Sequence, residues 1–221
     1  MNPRALVMAK APVPGRVKTR LGAVIGMEAA ADLAAAALLD TLEVCRAVFG
    51  SRCHLALEGD LDLAFRGSQI DRALQGWDVF AQRGSSLGAR LAAAHGDLAE
   101  AAPGAIVQVG MDTPQLTPAL LRTTAAVLDY GADAVLGPAE DGGWWVLGLG
   151  DGRRASVLAD VAMSRPDTHA ATAEALGRGG AALGSVARLR DVDTVADAHA
   201  VAGAAPGTRF GRTWHALAVA S

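Results

Sequence analysis

The hydrophobic residues of this 221-residue chain fall into short apolar runs that alternate with longer segments rich in alanine and leucine. Short runs bounded by glycine, proline or polar residues predict buried strands, and the longer segments predict helices. The predicted strands are RALVMA, HLALEG, WDVFAQ, AIVQVG, DAVLGPA, GWWVLGLG and the beginning of GSVARLRDVDTVADAHAVA. Strands that alternate with helices predict an α/β fold in which a mostly parallel sheet is covered on both faces.

The helical segments carry signals at their ends. The range Met27–Val48 predicts a long helix because it is rich in Ala and Leu. Another helix has Thr117 as its N-cap, Pro118 as its first residue and Gly131 beyond its end. Further helices are predicted over SSLGARLAAAHGDLAEA, over RPDTHAATAEALGRGG and at the end of DVDTVADAHAVA. We assign no element to the C-terminal segment GTRFGRTWHALAVAS.

Composition limits the possible functions. The 20 basic and 23 acidic residues give a net charge of −3, whereas nucleic-acid and anionic-membrane binders need a broad basic face. Two cysteines without metal-ligand spacing, and the lack of a signal-peptide pattern, favour a cytoplasmic protein. No apolar run approaches the roughly 20 residues that span a membrane. The length favours a single domain over residues 1–221.

In an open α/β sheet the ligand binds beyond the carboxyl ends of the strands, so polar residues that directly follow strands are candidates for chemistry. The loop MAKAPVPGRVKTRLG places Lys10, Arg16, Lys18 and Arg20 after the first strand. Guanidinium and ammonium groups on such a loop suit a polyanion such as a nucleoside triphosphate. The alternative is a solvated loop whose cations pair with surface carboxylates. The loop matches neither the Walker A nor the dinucleotide-binding pattern.

Carboxylates follow other predicted strands. In VQVGMDTPQLTP, Asp112 is placed to hold a divalent cation such as Mg²⁺ together with phosphate oxygens, or else to form a turn or cap a helix. Asp191 and Asp193 follow another strand and could share this cation if the two strands are neighbours. The alternative for the second pair is that Asp193 or Thr194 caps the last helix.

The segment LGPAEDGGWWVLGLG is the fourth candidate. Glu140 and Asp141 could bind a metal or accept a proton, and the Gly-Gly pair after them lets a ligand approach the backbone closely. Trp144 and Trp145 point to opposite faces of their strand, so at most one of them faces a ligand. A surface turn before a strand explains the same residues equally well.

The motifs PGRVKTRL, QRGSSLGARL, VQVGMDTPQLTPALL, GPAEDGGWW and RDVDTVADA together resemble the DUF2064 family, also called the selenodomain-associated transferase family. The resemblance runs from about Ala5 to Ala202. That family belongs to the GT-A-type nucleotide-diphospho-sugar transferase superfamily. It is similar to the 2-phospholactate guanylyltransferases and, more distantly, to the molybdenum cofactor guanylyltransferases. The chain departs from the family where Trp144 and Trp145 replace a frequent pair of tyrosines.

The resemblance implies a three-layer α/β/α sandwich with a Rossmann-like nucleotide half. Residues 1–110 would mainly bind the nucleotide, residues 111–203 would mainly bind the metal and the acceptor, and residues 204–221 would form a tail. The implied cofactor is Mg²⁺ or Mn²⁺, and its implied ligands are Asp112, Asp191 and Asp193. The implied catalytic residues are Arg16, Lys18 and Asp112. The implied nucleotide-binding residues are Lys10, Arg16, Lys18, Arg20, Gly84, Ser86 and Arg90. The implied acceptor residues are Glu140, Asp141, Gly142, Gly143 and Trp144.

These expectations describe a metal-dependent nucleotidyltransferase. It would move a nucleoside monophosphate group from a triphosphate to a small phosphorylated acceptor and release pyrophosphate. One alternative is a glycosyltransferase of the same fold with a nucleoside-diphosphate-sugar donor, in which Glu140 or Asp141 would act as the base. Another is a nucleotide-binding module without catalysis, because one fold supports many functions.

Overall fold

The computed structural model describes the backbone of residues 2–220 and the side chains of residues 2–217. Met1 and Ser221, which end the predicted 1–221 domain, lie outside the described residues. The strands are β1 (Arg4–Lys10), β2 (Cys53–Glu58), β3 (Asp78–Ala81), β4 (Ile106–Val109), β5 (Ala134–Pro138), β6 (Trp144–Leu149) and β7 (Leu183–Ser185). The helices are α1 (Thr19–Ile25), α2 (Met27–Phe49), α3 (Gly67–Ala73), α4 (Leu87–Ala101), α5 (Pro118–Asp129), α6 (Thr168–Arg178), α7 (Val195–Ala204) and α8 (Arg209–Ala220). Two 3₁₀ segments span Leu61–Leu63 and Gly152–Asp160.

The strands form one seven-stranded sheet in the order β3-β2-β1-β4-β6-β5-β7. Strand β6 runs antiparallel to β4 and β5, and the remaining neighbours are parallel. The carboxyl ends of six strands therefore meet at one edge of the sheet. This arrangement confirms the predicted α/β fold with a mostly parallel sheet.

Two apolar cores cover the two faces of the sheet. On one face, α2, α3 and α5 pack against the strands through residues such as Leu38, Ile70 and Leu121. On the other face, α4, α6 and the second 3₁₀ segment contribute Leu91, Leu158 and other buried side chains. The helix, sheet and helix layers confirm the predicted three-layer sandwich.

Helix α2 is buried on both of its sides. One side faces the sheet, and the other faces α1, α7 and α8, whose buried residues include Leu21, Val201, Phe210 and Trp214. Alanine has the highest helix propensity and the smallest side chain that still carries a Cβ, so an alanine-rich helix packs closely between two layers. The long alanine-rich helix predicted from the sequence has this role in the fold.

Local signals explain where several helices begin. The side chains of Ser86 and Thr117 accept hydrogen bonds from the backbone N–H groups of Ala89 and Leu120, as expected of N-caps. Helix α7 begins with a capping box in which Thr194 and Asp197 bond each other's backbone N–H groups. Thr194, rather than Asp193, therefore caps this helix.

The structure also contains elements that the sequence patterns did not indicate, namely α1, α3, α8 and both 3₁₀ segments. The strand expected before Asp191 is short: β7 has three residues, and the chain rejoins the sheet only through a bridge between Leu189 and Ala139. None of the helices in residues 2–220 is long and apolar enough to cross a membrane.

The C-terminal helix α8 depends on a carboxylate from another helix. Asp40 of α2 accepts hydrogen bonds from the backbone N–H groups of Arg209 and Phe210 at 3.0 and 2.9 Å. Its side chain is 8% exposed, and it also pairs with the Arg209 guanidinium at 3.2 Å. A carboxylate at this position satisfies free N–H groups at the positive end of the helix dipole.

We therefore expect Asp40→Ala to lower the free energy of unfolding by roughly 2–4 kcal/mol, because it leaves the buried N–H of Phe210 and the partly buried N–H of Arg209 without this acceptor. Denaturant unfolding measures the change. Glu43→Ala is the matched control, since Glu43 pairs with the same arginine from an exposed position and its loss should cost about 1 kcal/mol or less. Equal losses in the two variants would contradict this role of Asp40.

Candidate active site

A cavity of about 650 Å³ opens at the carboxyl edge of the sheet. Its walls come from the ends of β1 to β4, the loop with Arg16 and Lys18 that follows β1 (the basic loop), and the turn between β5 and β6. The beginning of α4, the segment that leads into α6 and the segment that follows β7 complete them. This is where a ligand binds in open α/β sheets. Most of the residues predicted from strand ends are therefore gathered around this cavity.

The basic loop is shaped by its proline and glycine. The backbone N–H of Arg16 donates to the carbonyl of Val13 at 3.0 Å, with Pro14 and Gly15 between them. Gly15 has a φ of 77°, and proline followed by a left-handed glycine is the signature of a type II turn. Val17 is buried, so the loop is anchored in the core while Arg16 and Lys18 reach the cavity.

Lys18 lies at the centre of the charged part of the site. Its Nζ is 2.5 Å from Oδ1 of Asp112 and 3.3 Å from Oδ1 of Asp193, and its side chain is 8% exposed. Burial disfavours the charged ammonium, but the two carboxylates outweigh burial and raise the pKa of Lys18. Lys18 has a φ of 47°, an uncommon value for a residue with a side chain, and it immediately precedes α1.

A backbone contact brings the distant aspartates together. The N–H of Val192 donates to the carbonyl of Asp112 at 2.9 Å, so the residues on either side of Val192 lie beside Asp112. The Gln115 amide strengthens the same junction by donating to the carbonyl of Arg190 at 2.6 Å. The loop after β4 and the segment after β7 therefore form one wall of the cavity.

Asp191 is the carboxylate of this wall with the most unusual environment. Burial and the nearby charges of Asp112 and Asp141 raise its pKa to about 7. Its Oδ1 is buried and has no hydrogen-bond partner among the described residues. An unpaired buried oxygen is costly unless a ligand or cation meets it.

The turn between β5 and β6 forms the opposite side of the site. Asp141 accepts a hydrogen bond from the N–H of Gly143 at 2.8 Å, which holds its carboxylate at the cavity. Trp144 also lines the cavity, and its Nε1 donates to the Thr172 hydroxyl at 3.2 Å. Trp145 is 2% exposed and donates to the Ala187 carbonyl, so it belongs mainly to the core and touches the cavity from the other face of β6.

A second polar network lies at the ends of β1 and β2. Glu58 pairs with Lys10 at 3.3 Å and also with Arg90 of α4. The Gln82 amide donates to the carbonyls of Ala9 and Ala56, both at 2.9 Å, and so ties the strand ends together. This part of the cavity is polar and lies beside Ser86 and Arg90, which the family resemblance implies as nucleotide-binding residues.

Most residues predicted for the site line the cavity. They are Lys10, Arg16, Lys18, Ser86, Arg90, Asp112, Asp141, Gly143, Trp144, Asp191 and Asp193. Four others have different positions. The exposed Arg20 pairs with Asp193, and Glu140 pairs with Arg190 at 2.5 Å. Gly84, with a φ of 134°, lies so close to the backbone of Ala89 and Arg90 in α4 that a Cβ would not fit. Gly142 packs in the same way against the backbone of Pro166.

Strand-end reasoning missed several cavity residues. Glu58 is the last residue of β2, and Gln82 directly follows β3. The rule that identified Asp112 at the end of a strand therefore applies to both of them. Gln108 is 2% exposed, lines the cavity and has an Oε1 without a partner among the described residues. It was detectable as the single polar residue in the apolar run AIVQVG.

The carboxylate oxygens of Asp112, Asp191 and Asp193 suit a hard divalent cation, because Mg²⁺ and Mn²⁺ prefer such ligands. Asp191 offers an unpaired oxygen, and Asp112 and Asp193 already share one cationic group. Within residues 2–217, no three metal-type side chains are grouped closely enough to hold an ion as they stand. The Lys18 ammonium lies between Asp112 and Asp193.

Comparison with known protein families identifies the chain. Residues 41–165, more than half of its length, match the model of the family described as "Uncharacterized protein conserved in bacteria (DUF2064)". The chain belongs to the DUF2064 family. The matched range of this DUF2064 protein includes Asp112 and the turn between β5 and β6 but not the basic loop or Asp193. No curated protein matches the sequence significantly.

Solved structures with the same fold support the three-layer architecture. A protein of Desulfovibrio desulfuricans G20, called a "putative nucleotide-diphospho-sugar transferase", is 28% identical to this DUF2064 protein, with a TM-score of 0.83. The alignment covers 98% of this chain and 94% of that one. A cytidylyltransferase from Leptospira borgpetersenii is 14% identical, with a TM-score of 0.54 over 89% of this chain and 83% of its own. Rv0371C of Mycobacterium tuberculosis, solved in complex with manganese, is 22% identical, with a TM-score of 0.53 over 91% and 98% of the two chains.

The raised pKa of Asp191 predicts how the stability of the folded protein depends on pH. Its folded-state pKa of about 7 exceeds the ordinary value of 3.8, so the folded protein retains a proton that the unfolded chain loses across this interval. Stability from this group is therefore present below about pH 4 and is lost as the pH rises to about 7. We expect Asp191→Asn to be more stable than the wild type at pH 8 in the presence of a chelator, by on the order of 2 kcal/mol, and nearly equal to it at pH 4.

Denaturant unfolding at a series of pH values measures this difference. Asp71→Asn, at an exposed position on α3, is the matched control for the replacement of an aspartate by asparagine. A stability difference for Asp191→Asn that does not change between pH 4 and pH 8 would mean that Asp191 titrates normally.

Proposed function

We propose that the cavity is the active site of a metal-dependent nucleotidyltransferase. The enzyme would transfer a nucleoside monophosphate group from a triphosphate to a small phosphorylated acceptor and release pyrophosphate. The observation that carries the proposal is the placement of Arg16 and Lys18 beside Asp112, Asp191 and Asp193 in one cavity at the carboxyl edge of the sheet. A triphosphate and its departing pyrophosphate need several cationic groups, and this wall combines them with carboxylates for a metal.

The phosphates would lie between the basic loop and the wall that carries Asp112, Asp191 and Asp193. Arg16 is exposed at the cavity and makes no ion pair within the described residues, so its guanidinium is available for phosphate oxygens. Mg²⁺ or Mn²⁺, when held by the three aspartates, would neutralise the phosphate charge and that of the leaving pyrophosphate. Base and ribose would lie along the beginning of α4, beside Ser86 and Arg90.

The acceptor would enter on the side of Asp141, Gly143 and Trp144. Trp144 is fixed by its hydrogen bond to Thr172, so it offers a rigid surface against which an acceptor can be positioned. A phosphate oxygen on the acceptor would attack the α-phosphorus in line. Such an acceptor is already anionic and needs no general base, so catalysis would rely on positioning and charge stabilisation.

Glycosyl transfer from a nucleoside-diphosphate sugar is the second candidate. It is favoured by the name of the 28% identical protein and by the position of Asp141. Asp141 faces the cavity, whereas Glu140 is held by Arg190, so Asp141 is the better candidate for a base that deprotonates an acceptor hydroxyl. A nucleotide-binding module without catalysis would bind the same ligands and show no turnover.

A screen of the four nucleoside triphosphates with Mg²⁺ or Mn²⁺ against phosphorylated metabolites tests the proposal through release of pyrophosphate. We expect acceptor-dependent release, and we expect Lys18→Ala and Asp112→Asn each to lower the rate by about 10²-fold or more, since each removes a charge-stabilising group. Arg153→Ala, on an exposed arginine outside the cavity, is the control and should keep the wild-type rate. Turnover that survives Lys18→Ala would refute the phosphate-binding role.

Thermal denaturation distinguishes the donor classes. We expect triphosphates with Mg²⁺ to raise the melting temperature more than nucleoside-diphosphate sugars do, because they engage more of the cationic loop. Stabilisation by the sugar nucleotides alone would favour glycosyl transfer. Stabilisation by triphosphates without any turnover would favour the binding module.

A further inference from the structure

The ammonium of Lys18 occupies the position between Asp112 and Asp193 that a bound cation would need. Its Nζ lies 2.5 Å from one Oδ1 and 3.3 Å from the other, and both carboxylates face the cavity. Divalent cations bind carboxylate oxygens at roughly 2.0–2.6 Å. The ammonium and such a cation therefore cannot lie between these two oxygens at the same time.

The charges around this position are unbalanced. Four carboxylates lie close together here. Asp112, Asp141 and Asp193 are near enough to Asp191 for their charges to raise its pKa. Lys18 compensates two of them, and the exposed Arg20 contacts the second oxygen of Asp193. Asp191 keeps a buried oxygen without any partner in the described part of the chain. A doubly charged cation would balance this group better than one ammonium does.

We propose that Lys18 is an internal counter-ion that a divalent cation displaces, and that the displaced ammonium then serves a bound polyphosphate. The inference rests on the metal site of the proposed function and adds an order of events to it. In the metal-free protein, Lys18 holds Asp112 and Asp193 together. When a divalent cation binds these two carboxylates, the ammonium is released into the cavity, where the polyphosphate binds.

The local structure permits this exchange without movement of the fold. Val17 anchors the loop in the core, and α1 begins directly after Lys18, so the backbone position is fixed at both sides. The four-carbon side chain carries the charge on rotatable bonds, and the ammonium can therefore reach another partner while the Cα stays in place. Arg20 keeps its contact with Asp193 and does not need to move.

The exchange couples two ligands thermodynamically. A polyphosphate that binds the metal-free protein must compete with two aspartates for Lys18, whereas one that binds the metal-loaded protein finds the ammonium free. Metal and polyphosphate should therefore each raise the affinity of the protein for the other by the same factor.

Calorimetric titration of nucleotide-free protein with Mn²⁺ alone tests the competition. Lys18→Met removes the ammonium and keeps a side chain of similar length, and Arg16→Met removes one positive charge from the same cavity without removing an aspartate partner. We expect Lys18→Met to bind Mn²⁺ at least about tenfold more tightly than Arg16→Met, because its carboxylates have lost their buried counter-ion. Equal or weaker binding by Lys18→Met, or no binding to either variant, would overturn the proposal.

Chemical labelling of the wild-type protein gives an independent test, in case Lys18→Met does not fold. The chain contains only two lysines, Lys10 and Lys18, so a brief acetylation followed by mass spectrometry reads each of them separately. We expect saturating Mn²⁺ to increase the acetylation rate of Lys18 about fivefold or more, as its buried ion pairs open, and to leave that of Lys10 unchanged. Inorganic pyrophosphate added with Mn²⁺ should protect Lys18 again.

The outcomes separate this inference from the proposed reaction. An unchanged acetylation rate of Lys18 at saturating Mn²⁺ overturns the displacement, even if pyrophosphate release from a triphosphate is observed. Displacement of Lys18 in a protein that turns over no triphosphate supports the counter-ion role and refutes only the nucleotidyl transfer. Neither measurement depends on catalytic activity.

Discussion

The arrangement of the site depends on repulsion among four carboxylates and on the groups that offset it. The α/β topology brings the loop after β4, the turn before β6 and the segment after β7 to one edge of the sheet, and each delivers aspartate side chains. Like charges in a partly buried space resist such convergence. Lys18 opposes this repulsion. Through its ion pairs with Asp112 and Asp193, it also connects the loop after β1 to the segment after β7. The basic loop and the aspartates are therefore one unit whose parts require each other.

Much of the architecture could be predicted from local signals. The apolar run of β1, the alanine-rich α2 and the Thr-Pro beginning of α5 each express a strong preference within a few residues. Helix α8 was not predictable in this way because its N-terminal N–H groups are satisfied by Asp40, which is 169 residues away from Arg209 in the sequence. Helix α1 is short and follows a residue in the left-handed conformation, so no capping side chain marks its beginning.

The site shows the same division between local and tertiary information. The rule that ligands bind at the carboxyl ends of strands was sufficient to identify Asp112 and the basic loop, because each directly follows an apolar run. Asp193 lies beside Asp112 through the backbone bond of Val192, although β6 and β5 separate β4 from β7 in the sheet. The spacing of the residues does not predict this contact. Glu140 looked equivalent to Asp141 in the sequence, but Arg190 draws it into a separate ion pair. Side-chain partners of this kind are decided only when the loops are folded.

The contact between α1 and α2 is closely packed. Gly22 of α1 lies so near that an added Cβ would approach the Met27 sulfur to 2.6 Å and the Ala30 Cβ to 3.3 Å. The small side chains on this face of α2 therefore set how closely α1 can approach it. A larger residue at Ala30, which is fully buried, would be overpacked against α1. Small side chains at this contact therefore let the helix that directly follows Lys18 pack closely against the core.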